Sequence, residues 1–172
     1  MEREDIVAAI VSAAGGRLVS RVRLQKTTYL LDQLGLNSGF DYEYHHYGPY
    51  SRDLDNAVLD AWAFDLVDES FGRRESDGAR YSIFSLKPDA NVKDEALGEL
   101  GRARAAALIQ KFANTNVTVL ELAATIDWLW RQEKCRDWRA EVTKRKGAKV
   151  QGGRLERAVE LLKEIGLPPP AA

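Results

Sequence analysis

The chain of 172 residues has one cysteine, Cys135, one methionine and two histidines, His45 and His46, which are neighbours. A single cysteine excludes an internal disulfide, and one cysteine with two adjacent histidines lacks the spaced ligand pairs of a zinc cage. No apolar run approaches the roughly 18 to 20 residues that cross a bilayer. The acidic start, Glu2-Arg3-Glu4-Asp5, leads straight into an amphipathic pattern and is unlike a secretory signal. Gly15-Gly16 and Gly152-Gly153 stand outside the spacings of a P-loop or a dinucleotide fingerprint. Together these absences describe a cytoplasmic protein with neither cofactor nor structural metal.

Catalytic constellations are equally sparse. His45 and His46 fall in a strand-like stretch, where neighbours point to opposite faces and cannot converge on one substrate. Positive neighbours Lys134 and Arg136 could activate Cys135, but no further group completes a nucleophilic site. Asp53, Asp55 and Asp60 lie in a helical pattern without the glycine and terminal glutamate of a calcium loop. The expectation is a chain that is not an enzyme.

Charge is nearly balanced, with 25 basic and 26 acidic residues, but it is segregated. Residues 41 to 69 hold eight acidic residues against Arg52 alone, and residues 134 to 157 hold nine basic residues against three acidic ones. The location of clusters, more than the total, sets an electrostatic footprint.

Ile6, Val7, Ile10, Val11 and Ala14 predict a first helix, stopped by Gly15-Gly16. Ser20 suits the N-cap of a second helix with Leu24, Thr27, Leu31 and Leu34 inward and Gly35 at its end. Arg17, Arg21, Arg23 and Lys26 gather at its start, with no acidic residue before Asp32. Phe40, Tyr42, Tyr44 and His46 alternate as on a half-buried strand, which Gly48-Pro49 is expected to end. Ser51 then caps a third helix, in which Leu54, Val58 and Trp62 are expected to pack on the first two helices. On that reading Trp62→Ala would cost about 3 to 5 kcal/mol. Residues 66–71 and 79–86 predict a wing-like hairpin around Asp77-Gly78, closed by Pro88. Helical texture follows, with Thr118 and Glu121 at capping-box spacing and a last helix carrying Leu155, Val159, Leu162 and Ile165.

Two stretches, RLQKTTYLL at 23 to 31 and FDYEYHHYGPYSRDLDNAV at 40 to 58, resemble the small bacterial YwgA-like proteins and, more distantly, the SocA-like Panacea domain. Leu24, Gln25, Lys26 and Tyr29 match the first shared element, and Tyr47, Gly48, Pro49, Tyr50 and Ser51 the second. The resemblance covers the first half of the chain. It implies a winged-helix-like core and a role as antitoxin, protein-binding adaptor or regulator without catalysis. One departure is clear: DNA-reading helix-turn-helix units join their helices by about 3 to 4 residues, whereas Gly35 to Tyr50 intervene here.

The expected fold is therefore α+β and mainly helical, with a winged-helix-like domain over residues 1–88 and a helical extension over 89–172 packed on it. The expected function is a protein-binding, antitoxin-like regulator whose partner, a toxin or a regulated target, meets Tyr47, Tyr50, Asp53 and Asp55. The alternative is a winged-helix regulator that contacts DNA through Arg73, Arg74 and Arg80 of the wing and Lys144, Arg145, Lys146 and Lys149.

Overall fold

The computed structural model describes residues 2–172 and is α+β, with seven α-helices and two small antiparallel sheets among them. The first helix, α1 (Arg3–Ala13), has Ile6 to Val11 buried without interruption and lies at the centre of the core rather than on its surface. After Gly15-Gly16 the chain enters β1 (Arg17–Val19), a strand too short to announce itself by periodicity. Helix α2 (Arg21–Gln33) follows, with Ser20 Oγ accepting the amide of Arg23 at 3.2 Å as the N-cap.

The aromatic stretch from Phe40 forms ladder bonds only over β2 (Glu43–His45), while Phe40, Tyr42 and Tyr44 keep the expected half-buried alternation. Gly48-Pro49 does not end this strand region but belongs to β3 (Gly48–Tyr50), which pairs back on β2 with Tyr44 opposite Pro49. Gly48 has φ +95°, and a Cβ there would lie 2.5 Å from Thr125 Oγ1. Only glycine allows both the turn and that approach.

Ser51 Oγ accepts the amide of Leu54 and caps α3 (Arg52–Ala63). Leu54, Ala57, Val58 and Ala61 are buried where α3 packs on α1, but Trp62 is 61% exposed, and this corrects its expected place in the core. Each i+4 step advances about 40° round a helix, so two steps from Leu54 carry Trp62 about 80° off the packed stripe. The expected hairpin forms as β4 (Val67–Arg73) and β5 (Arg80–Leu86), and β1 adds to β5 to give a sheet ordered β1-β5-β4.

After a 3-10 segment over Asp94–Leu100 come α4 (Gly101–Ala113), α5 (Val117–Arg131), α6 (Trp138–Lys146), a second 3-10 segment over Gly147–Val150 that carries Lys149, and α7 (Arg154–Ile165). The helical texture expected after Pro88 is broken at Gly98 and Gly101, both at positive φ. The Thr118–Glu121 capping box is also corrected. Asn116 caps α5, its Oδ1 accepting from Thr118 and Val119, while Glu121 is buried and turned to lysines. Helices α4, α5 and α7 supply much of the same continuous core that α1 and α2 enter. Among the described residues no helix is long and apolar enough to cross a membrane.

Urea melts test this packing: Leu54→Ala is expected to lose about 2 to 5 kcal/mol and Trp62→Ala less than about 1 kcal/mol. An equal loss in both would place Trp62 in the core after all.

Candidate nucleic-acid interface

The two sequence elements from 23 to 31 and 40 to 58 meet in space. Gln25 uses both ends of its amide on one residue: Nε2 donates to Ser51 O at 2.9 Å, and Oε1 accepts from Ser51 N at 2.9 Å. Lys26, 2% exposed, donates from Nζ to Pro49 O at 2.5 Å. Tyr29 donates to the buried carboxylate of Asp127 on α5. The Leu-Gln-Lys helix start thus grips the backbone of the Gly-Pro-Tyr-Ser turn, and the turn in turn rests on Thr125 of α5. These residues build the scaffold between α2, α3 and α5. Burial lowers the Lys26 amine to about 7, with Glu121 opposing that shift and Lys146 and Lys149 adding to it.

Beside this scaffold lies an open groove of about 1090 Å³. One wall is the β1-β5-β4 sheet, and another is the start of α5; the start of α2 lies between them. Six cationic side chains line it, Arg17, Arg21, Arg23, Arg74, Arg80 and Lys149, against two carboxylates, Glu69 and Glu121. The first turns of α2 and α5 carry no acidic residue, and Ser20, Val22, Val117 and Thr118 from those two helix starts face the groove. Both positive helix ends therefore add to the field of the arginines.

The cations differ in how far they are already satisfied. Arg21 bridges Asp55 at 2.7 Å and Glu69 at 2.8 Å, and Glu69 also accepts from Ser82 at 2.5 Å. Arg74 pairs with Asp77, and Lys149 with Glu121 at 3.0 Å. Arg17, Arg23 and Arg80 form no ion pair among the described residues. Arg23 donates only to the carbonyls of Phe112 and Thr115, and burial lowers its pKa. Its positive charge has no carboxylate to balance it among the described residues, which leaves it available to an anion in the groove. Phe71 and Tyr47 line the same groove with half of each side chain in solvent, Arg80 over the first ring at 4.1 Å and Lys149 over the second at 4.9 Å.

The residues singled out in the sequence are distributed between this groove and other places. Arg74, Arg80, Lys149 and Tyr47 line it. Arg73 is exposed on β4 and donates to Gly78 O, and Lys144 is exposed on α6. Arg145 is clamped by Glu133 and Glu141 and lies over Tyr44, and Lys146 is buried on Glu121 at 3.1 Å. Tyr50 donates to Asp55, which also accepts from Arg21 and Gln25, and Asp53 accepts the amide of Asp41. Tyr47 thus faces the basic groove and not the acidic surface of α3, and Asp60 is paired with Arg3. Arg17, Arg21 and Arg23 join the groove although the sequence reading does not place them at nucleic acid; their run without an acidic neighbour is the signal for them.

No family model matches the chain. Over 131 residues it is 32% identical to a protein of Thermus aquaticus named DNA ADP-ribosyl glycohydrolase, a match that covers 72% of this chain and 34% of the relative. The chain therefore spans about a third of that relative's length. The likeness corrects the expectation that the chain is not an enzyme, because the relative is named for a hydrolytic activity.

The buried lysine gives a pH test with a definite sign. Its folded pKa lies below the unfolded one, so between about pH 7 and 10 the unfolded chain binds the extra proton and stability rises with pH, by at most about 1.4 kcal/mol per unit. Below pH 7 both states hold the proton and the contribution is flat. Comparing wild type with Lys26→Met in urea at pH 7 and pH 9, the wild type is expected to gain stability relative to the variant at the higher pH. A constant difference would mean that Lys26 titrates normally.

Proposed function

We propose that this chain works in the removal of ADP-ribosyl groups from DNA, and that its groove holds phosphates of the modified strand. The observation that carries this reading is the pair of helix starts converging, with Arg17, Arg23 and Arg80 free of ion pairs among the described residues, on one open groove. An ADP-ribosyl group adds a pyrophosphate to the charge of the nucleic acid, so the ligand is a dense polyanion of the kind such a groove attracts. Backbone amides at helix starts and arginine forks are the donors that phosphate oxygens accept. The likeness to a DNA ADP-ribosyl glycohydrolase supports the choice of DNA over other polyanions. Glu69 and Glu121 are the carboxylates within the groove, each held by cations.

The order of three helices and a hairpin, with β1 pairing to β5, supports a winged-helix-like reading of the N-terminal part, in which β4 and β5 form the wing. A second reading, a protein-binding regulator of antitoxin type, is favoured by one observation. Leu59, Trp62 and Phe64 are 63%, 61% and 65% exposed at the end of α3, the helix that also carries Asp53 and Asp55. Exposed aromatic and aliphatic side chains beside carboxylates suit a basic protein partner.

Fluorescence anisotropy with an ADP-ribosylated oligonucleotide and its unmodified counterpart separates these readings. The modified strand is expected to bind more tightly, with affinity falling as salt rises. Arg17→Gln with Arg80→Gln, both exposed and outside the core, is expected to flatten the salt slope by about 2. Equal affinity for the two strands would remove the ADP-ribosyl part of the proposal, and absence of binding at low salt would remove the DNA part.

A further inference from the structure

A second cleft, of about 350 Å³, shares no lining residue with the basic groove. It lies between the C-terminal end of α2, the loop that leads to β2, and the last turn of α5. Its chemistry is the reverse of the groove's. No lysine, arginine or histidine lines it, whereas two carboxylates do, Asp32 and Asp41.

Aromatic rings form its walls. Tyr29 meets Tyr42 edge to face at 5.1 Å and Trp128 at 6.2 Å with the planes tilted by 55°. Each ring's polar handle is already engaged: Tyr29 donates to Asp127, Tyr42 to Asp32 at 2.6 Å, and Trp128 Nε1 to Glu133 at 2.9 Å. Tyr29 is 1% exposed and backs the cleft, so what faces a ligand is the partly exposed ring surface of Tyr42 and Trp128, locked in place by hydrogen bonds. Burial and the Asp32 carboxylate raise the Tyr42 pKa well above its ordinary value, which keeps this hydroxyl a donor.

Neither carboxylate is neutralised. Asp32 accepts from Ser38 N at 2.8 Å, Ser38 Oγ at 2.6 Å and Tyr42, all uncharged donors, and Asp41 makes no side-chain bond. No ion pair reaches either of them among the described residues. Gln33 and Gln132 add amide oxygens whose side chains have no internal partner among those residues.

We propose that this cleft is a binding site for a guanidinium or alkylammonium group. A planar cation is attracted by ring faces within about 6 Å and, when it carries several N–H donors, also by paired carboxylate and amide oxygens. The volume lies at the small end of the ligand-pocket range and suits one arginine-sized head group rather than a nucleotide. The negative potential repels phosphates, so the site is independent of the groove. The group comes either from an arginine or lysine side chain of a partner protein or from a free polyamine.

Titration calorimetry with N-acetyl-arginine amide and with spermidine tests the site, with the Trp128 indole signal, assigned by Trp128→Phe, as the local readout. Wild type is expected to bind N-acetyl-arginine amide saturably with a shift of the Trp128 signal. Asp41→Asn is expected to weaken binding about tenfold and Asp41→Lys to abolish it. Asp41 is exposed, so both variants keep the fold, which circular dichroism checks. Stronger binding of the arginine amide assigns a protein side chain, and stronger binding of spermidine a free polyamine. Absence of saturable binding to either, or binding unchanged by Asp41→Lys, overturns the proposal.

Discussion

The placement of the functional surfaces depends on the grip of Gln25 and Lys26 on the backbone of Pro49 and Ser51. An amide that both donates to and accepts from one residue fixes that residue's peptide groups in position and orientation. A lysine buried beside it satisfies a carbonyl that water cannot reach. Through these three bonds α2 sets where α3 begins, and Gly48 lets the same turn lie against Thr125 of α5. The starts of α2 and α5, which line the groove, are thereby fixed relative to one another. The charge of Lys26 is a liability in that position, as its depressed pKa records, and the nearby carboxylate of Glu121 offsets it.

Electrostatic sorting follows from the same frame. Much of the acidic surface of α3 is consumed internally, Asp55 by Arg21, Gln25 and Tyr50 and Asp60 by Arg3. The basic segment of α6 is consumed in part, Arg145 by Glu133 and Glu141 and Lys146 by Glu121, while Arg139 and Lys144 form no ion pair among the described residues. Unpaired charge gathers in the cationic groove and in the carboxylate-and-aromatic cleft. The acidic cluster that stands out in the sequence is thus largely self-neutralised, and the groove gathers its free charge where distant segments converge.

That contrast explains what could be read in advance. Caps at Ser20 and Ser51, the hairpin from 67 to 86 and the helical second half follow from local chemistry, which a sequence displays directly. Trp62 was misplaced because periodicity gives a stripe but not where the partner helix stops covering it. Asn116 displaced Thr118 as the cap of α5 because Glu121 found lysines 25 and 28 residues away, a tertiary competitor invisible in a local window. Strand β1 is three residues long and is held by β5 more than 60 residues later, Leu18 opposite Phe84. The groove draws on residues from 17 to 149, so only its separate fragments could be seen.

Nucleic acid is proposed to lie across the two helix starts. Hydrogen–deuterium exchange with and without an ADP-ribosylated oligonucleotide tests it most directly. The account predicts slowed exchange over residues 17–23, 69–82 and 113–121 and unchanged exchange at the exposed end of α3, residues 59–64. Protection confined to 59–64, with the groove segments unaffected, would contradict it.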